Sequence, residues 1–317
     1  MLELDRDALL ALQWEEYPSN PLIPPPFPSP ILADPTFLPP EDTPDGLWHL
    51  FAHSILGIHH FISRDGLAWE RRRGVVCRNS LRAFIFAGDS VYHLFYERFL
   101  RLFPFPYLSR IEARTSRDLV AWSKPSVVLE PTLDWHREGC RGAVSNACVV
   151  AEDDGYRLYY SAGLVYLRDC RFSEPKYIGV ASSPDLLGPY RTAPEPVLQP
   201  AAGDVYANMG AGAIKVVKVS DGYAGFQNGI YWDAGKAHTR SAIRLVTSHD
   251  GLAWDIPQRE PILKPGPGWK KGFVYALDVR KVGDRLCMYF NARDGWLTGR
   301  ENIGLAFGAI REATGEA

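Results

Sequence analysis

Short runs in which apolar and polar residues alternate recur along the whole chain, and four of them close on the same punctuation. Phe61-Ile62-Ser63-Arg64-Asp65-Gly66-Leu67-Ala68-Trp69 is matched by a run ending Thr115-Ser116-Arg117-Asp118-Leu119-Val120-Ala121-Trp122. It is matched again by Ser183-Pro184-Asp185 leading to Tyr190 and by Ser248-His249-Asp250-Gly251-Leu252-Ala253-Trp254. Each run reads as a strand of period two, then Ser-x-Asp, a turn and an aromatic residue. Asp65, Asp118, Asp185 and Asp250 lie 53, 67 and 65 residues apart. Ile303-Gly304-Leu305-Ala306 echoes Ile178-Gly179-Val180-Ala181 and starts a fifth copy.

Upstream of every copy stand two β-rich runs: 31–38 and 47–52, 83–87 and 91–96, 144–151 and 156–161, 213–219 and 223–228, 274–282 and 285–291. Asp153-Asp154-Gly155, Ser220-Asp221-Gly222 and Val282-Gly283-Asp284 mark hairpins between them. A four-stranded unit with two apolar faces must stack on its neighbours, so five units predict an all-β protein, a five-bladed β-propeller. Two stacked β-sandwich domains are the alternative. The expected organisation is a lead-in over residues 1–20, one propeller domain over 21–310 and a tail over 311–317. Residues 1–16 have the apolar spacing of a short amphipathic helix. Residues 17–40 hold ten prolines and predict an extended segment across the propeller entrance.

Composition narrows the function. The 317 residues include 9 Trp, 15 Tyr and 15 Phe against 3 Met, a balance that favours strands. With 35 Lys plus Arg against 37 Asp plus Glu there is no excess of cations to neutralise a phosphate backbone, so nucleic acid is not an expected partner. No apolar run is long enough to span a bilayer, and the first twelve residues carry three acids where a secretory signal carries bases. A cytoplasmic protein with no membrane partner is expected. Five dispersed cysteines without a CxxC fit reduced thiols better than disulfides or zinc, and no HExxH-like spacing supports a metal among His49, His53, His59, His60 and His93.

In a propeller the innermost strands converge on a central funnel, which separates two kinds of acid. The Ser-x-Asp carboxylates fall at blade-edge turns, where they can accept backbone N–H bonds. Asp34 instead begins the innermost strand of the first blade, among apolar residues, where an acid needs a partner or a task.

At Asp34-Pro35 the sequence resembles the five-bladed propeller glycosidases, the superfamily of glycoside hydrolase families 43, 62, 32, 68, 117 and 130. The strands at 92–96, 157–161 and 178–183 and the four Ser-x-Asp turns are similar to that superfamily's blade motifs, from about Pro21 to Gly308. The resemblance implies a first-blade Asp as base or nucleophile, with a general acid from another blade. It also exposes a departure: Arg82-Ala83-Phe84 stands where the second-blade Asp is expected, and Asn146-Ala147-Cys148 where the third-blade Glu is expected.

Glycoside cleavage needs two carboxyls flanking the bond, so substitutes are sought nearby. Glu97, beside an aromatic loop over 99–107, is the leading candidate acid, with a salt bridge to Arg98 or Arg101 as the structural alternative. Asp278, on the expected inner strand of the fifth blade, is a further catalytic candidate. His53, Arg82, Glu138, Arg141, Asn146, Glu174, Tyr231 and Trp296 are candidate substrate-binding residues, with Trp135 and Trp232 as further aromatic faces. The arginines suit a carboxylate or phosphate and keep a glycoside phosphorylase open. The expectation is a glycoside hydrolase acting on a small glycoside or oligosaccharide without a cofactor, although converging carboxylates leave room for a structural ion in the funnel. A non-catalytic carbohydrate-binding propeller is the alternative from a different class. A sialidase is disfavoured by five repeats and by the lack of an arginine triad.

Overall fold

The computed structural model describes residues 2–101, 107–257 and 260–309. It is a five-bladed β-propeller. Blade one pairs Ala33–Leu38, Trp48–Ser54, Gly57–Ser63 and Glu70–Arg71 from the axis outwards. Blade two pairs Ser80–Ala87, Tyr92–Arg101, Leu108–Ser116 and Ser126–Leu129. Blade three pairs Val144–Glu152, Gly155–Leu167, Phe172–Ser183 and Arg191–Thr192. Blade four consists of Gly210–Val219, Gly222–Asp233 and His238–Ser248. Blade five runs through Phe273–Val282, Arg285–Arg293 and Glu301–Ala309.

The fourth strand of blade five comes from the other end of the chain. Gln13–Glu16 pairs antiparallel with Glu301–Ala309, with Trp14 opposite Gly308. A side chain at Gly308 would meet the Trp14 ring at 3.0 Å, so glycine admits the closing strand. The propeller therefore begins at residue 13 rather than 21, and the N-terminal helix is confined to Arg6–Ala11, capped by Asp5. The proline-rich lead-in does not cross the entrance. It climbs the edge of blade five, where Leu22 and Leu32 donate their amides to Ile303 and Glu301 carbonyls, and reaches the funnel at Ile31. The expected tail over 311–317 lies outside the described residues.

Blades are held to one another by apolar layers and by pinned turns. Phe37, Phe51, Phe95, Phe226, Phe273 and Phe290 are fully buried, each such ring being worth roughly 1.5–3 kcal/mol. In three Ser-x-Asp turns the carboxylate accepts two backbone amides at 2.8–2.9 Å: Asp65 from Leu67 and Ala68, Asp118 from Val120 and Ala121, Asp250 from Leu252 and Ala253. Those bonds hold the three carboxyls below their usual range. A tyrosine of the preceding blade then caps the turn: Tyr289 donates to the Gly66 carbonyl at 2.5 Å and Tyr159 to that of Gly251 at 2.9 Å. The five cysteines are all free.

Candidate active site

Each inner strand slips register near its start, where two of its residues oppose one of the next strand. The slips fall between Ala33 and Thr36, Leu81 and Phe84, Ser145 and Cys148, Gly210 and Ala213, and Val274 and Leu277. A bulge of this kind turns a side chain out of the pleat. In the first four blades it puts one residue in the left-handed region: Asp34 (φ 50°), Arg82 (52°), Asn146 (50°) and Gly212 (66°). Three of these are not glycine, and holding them there costs on the order of 1 kcal/mol or more each, which packing around the bulges must offset. At Gly212 a Cβ would lie 1.8 Å from the Asn228 carbonyl oxygen, so that wall of the funnel stays bare.

The four positions surround a cavity of about 290 Å³ at the mouth of the funnel, shared with His53, Glu174, Asn228, Tyr275, Asn291, Arg293 and Glu301. Second strands end and third strands begin on this face, so it collects His53, Asn228 and Asn291 from the former and Glu174 and Glu301 from the latter.

Asp34 is held from two sides. Its backbone amide donates to Asn291 Oδ1 at 3.0 Å, and its Oδ2 lies 3.3 Å from His53 Nδ1. Burial raises the Asp34 pKa, opposed by the positive charges of Arg82 and Lys215. Burial, reinforced by Arg82, pushes His53 down to about 3, so its ring is neutral at physiological pH. His53 Nδ1 accepts the Arg82 backbone amide at 3.4 Å, which ties the bulges of blades one and two together.

Glu174 and Glu301 are both pushed up to about 7, chiefly by burial, and each is raised further by the charge of Asp34. Glu301 accepts from Asn291 Nδ2 at 3.3 Å and sits 3.7 Å from Arg293 Nη1. Arg293 lies over the rings of Phe172 and Phe273, 4.7 Å from each centroid, and donates to the Tyr275 hydroxyl at 3.2 Å. Among the described residues its buried Nε has no hydrogen-bond partner. Three carboxyls in one cavity, two of them titrating near neutrality, form an arrangement suited to proton transfer.

The structure thus brings Asp34, His53, Arg82, Asn146 and Glu174 together from the sequence-derived candidates. The others stand elsewhere. Glu97 is 1% exposed and lies behind Arg82, whose Nη1 donates to its Oε2 at 2.5 Å while the Tyr107 hydroxyl donates to its Oε1. Its ion pair is with Arg82, not Arg98 or Arg101. Most of the aromatic loop expected beside it, residues 102–106, lies outside the described residues. Asp278 is at the opposite mouth of the funnel, where its Oδ2 accepts from Thr36 Oγ1 at 2.7 Å and the Phe37 amide at 3.1 Å.

Glu138 is bound by the Lys176 ammonium and the Tyr177 hydroxyl, away from the cavity, and those bonds lower its pKa. Arg141 is exposed. Trp296 packs 4.3 Å from the His238 ring, and Tyr231 is buried against Tyr206. Sequence reasoning missed Asn291, Arg293 and Glu301. Glu301 stands two residues before the fifth-copy motif Ile303-Gly304, a polar residue at the head of an apolar strand, and that was the available signal. Among the described residues no group of three or more His, Cys, Asp or Glu side chains is placed to hold a metal ion.

No protein family description and no curated protein matches the sequence. Solved structures do match the fold. A glycosyl hydrolase from Bacteroides ovatus superposes with a TM-score of 0.66 over 93% of both chains at 14% identity. A β-1,2-mannobiose phosphorylase from Listeria innocua does so with 0.64 over 94% of this chain and 97% of its own, also at 14% identity. A third, with 0.64 over 93% of both chains and 14% identity, comes from work on the mannoside phosphorylases of glycoside hydrolase family 130, which contain hydrolases of β-1,2-mannosidic linkages in Candida mannan. The chain shares its architecture with five-bladed propellers that process glycosides.

Proposed function

We propose that the cavity is the active site of a glycoside hydrolase, with Asp34 as base or nucleophile and Glu174 as general acid. The observation that carries this reading is the pair of environments in one cavity. Burial pushes Glu174 up to about 7, so it is partly protonated near neutral pH; burial raises Asp34 as well, and the charges of Arg82 and Lys215 oppose that rise. A protonated carboxyl gives its proton to the departing glycosidic oxygen, and the carboxylate attacks the anomeric carbon or takes a proton from the attacking water. Glu301 is the other acid of the cavity, and its bond from Asn291 and proximity to Arg293 give it the role of fixing the wall beside Asp34. Neutral His53 and the amides of Asn146 and Asn228 supply hydrogen bonds for sugar hydroxyls without adding charge.

Hydrolysis is favoured over phosphorolysis by the state of the cations. Arg82 is engaged by Glu97 and Arg293 lies beside Glu301, so neither guanidinium faces the cavity without a carboxylate nearby. A phosphate co-substrate would meet three carboxyls before an unpaired cation. The test is product release from aryl glycosides and from manno-, arabino-, xylo- and fructo-oligosaccharides, with and without phosphate, for wild type, Asp34→Asn and Glu174→Gln. Turnover without phosphate that is lost in both variants supports the assignment. A strict phosphate requirement replaces hydrolase by phosphorylase, full activity in Asp34→Asn removes the catalytic role of Asp34, and no turnover of any substrate removes the enzyme reading.

A further inference from the structure

The cavity at the funnel mouth has room for a small part of a ligand, yet the same face of the propeller carries a larger groove over blade four. That groove, about 560 Å³, is lined by Tyr206, Asn208, Trp232, Asp233, Arg240 and Lys264. Trp232 is 41% exposed, and Val205, at the groove wall, is 62% exposed. The strand end that carries this exposed indole is fixed: the Trp232 backbone amide donates to Asn208 Oδ1 at 2.8 Å, and buried Tyr231 props Tyr206 edge-to-face at 5.3 Å. Around these rings the polar groups are of both signs, with Asp233 Oδ2 3.6 Å from Arg240 Nη1 and Lys264 paired to Glu260 at 2.5 Å. Flat aromatic faces among mixed, nearly balanced hydrogen-bonding groups suit a neutral polyhydroxylated ligand better than a phosphate or a purely apolar one.

Groove and cavity are two ends of the same chain segments. Asn228 lines the cavity and Trp232 follows four residues later at the end of Gly222–Asp233; Asn208 precedes the cavity residue Gly212 by four. In an extended chain four residues span at most about 14 Å, and Asn228 and Trp232, four apart on one regularly paired strand, share a face. We infer that this groove binds the outer units of a carbohydrate chain whose reacting unit occupies the cavity, so the substrate is an oligosaccharide or polysaccharide rather than a small glycoside. This rests on the reading of the cavity as a glycoside site, and the groove acts by positioning, outside the reacting bond.

Two measurements separate the two readings. The first compares kcat/KM on a ladder of oligosaccharides of one linkage, from two to six units, for wild type, Trp232→Ala and Trp232→Phe. The expected result is that Trp232→Ala lowers the ratio of kcat/KM on the longest to that on the shortest by about tenfold, mainly through KM, and that Trp232→Phe restores most of it. A ratio unchanged in Trp232→Ala overturns the inference. The second measures retardation in gels containing yeast mannan, arabinan, arabinoxylan or levan, using wild type, Asp34→Asn and Trp232→Ala, and needs no turnover. Retardation by one of these polymers that survives Asp34→Asn and is lost in Trp232→Ala supports the groove even if the cavity proves inert. Wild type retarded by none of them overturns it.

Discussion

Asn291 Oδ1 accepts the backbone amide of Asp34 at 3.0 Å, although the two residues are 257 positions apart. The same amide group donates through Nδ2 to Glu301, so one side chain fixes both the bulge that aims Asp34 and the carboxyl beside it. The junction between the last blade and the first is thereby part of the proposed catalytic apparatus. Replacing Asn291 by Ala should lower kcat by about tenfold to a hundredfold through misplacement of Asp34, with KM changing less. It should also cost ~1–2 kcal/mol of stability from the buried amide left without an acceptor. Steady-state kinetics and chemical denaturation check both.

Activity should fall as pH rises through about 7. In the proposed mechanism the proton on Glu174 is the one transferred to the leaving group, and Glu174 is held near that value by burial. A pH profile of kcat/KM for wild type should show this alkaline limb, and Glu174→Gln should lack it at a much reduced rate. An alkaline limb that persists unchanged in Glu174→Gln assigns the acid to another group.

Stability should respond to pH through the same carboxyls, with a definite sign. Glu301 is raised from 4.5 to about 7 on folding, so the protonated form is the one the fold favours. Its contribution is complete below about pH 4.5 and is lost as pH rises through about 7. His53, lowered from 6.5 to about 3, acts in the opposite direction: its contribution is present above 6.5 and is lost as pH falls through 3. Thermal melts between pH 5 and 8 should therefore show Glu301→Gln gaining on wild type as pH rises.

Glu97 is expected to matter as the counter-ion of Arg82. Glu97→Ala leaves a guanidinium buried without its carboxylate and should cost roughly 3 kcal/mol. If Glu97 were instead the acid, Glu97→Gln would abolish turnover of substrates with poor leaving groups and spare those with good ones, beyond any fall in the melting temperature. The comparison of Tm with activity on substrates with good and poor leaving groups decides.

Asp278→Ala should be read in the melting temperature rather than in kcat. It deprives Thr36 Oγ1 and the Phe37 amide of their shared acceptor between blades five and one, at a cost of about 1–3 kcal/mol.

The repeat was legible because each blade solves the same steric problem with the same residues. Ser-x-Asp, a turn and an aromatic reappear in four blades where the third strand doubles back, and in two of them a tyrosine of the preceding blade docks on the turn. Asp34, Arg82 and Asn146 were legible for a related reason, since aligning the blades put them at one position and the bulges turn all three to the axis. Position along a strand does not tell which cation an acid meets, however. Glu97 read as an acid or as a partner of Arg98 or Arg101, and Glu138 as a substrate-binding residue; the structure surrounds them with Arg82 and Tyr107 and with Lys176 and Tyr177. Asn291, Arg293 and Glu301 escaped because their relation to Asp34 exists only when the ring closes.

That closure has a consequence for how the molecule is made. The strand that completes blade five precedes its partner, Glu301–Ala309, by the whole ring of blades. Gln13–Glu16 therefore has no strand to pair with until all five blades have been made. Asp34 likewise acquires its Asn291 acceptor only when blade five is in place. Assembly of the site and fastening of the ring both wait on blade five, so a chain cut before Asn291 lacks the acceptor that holds Asp34 as well as the strand that closes the ring.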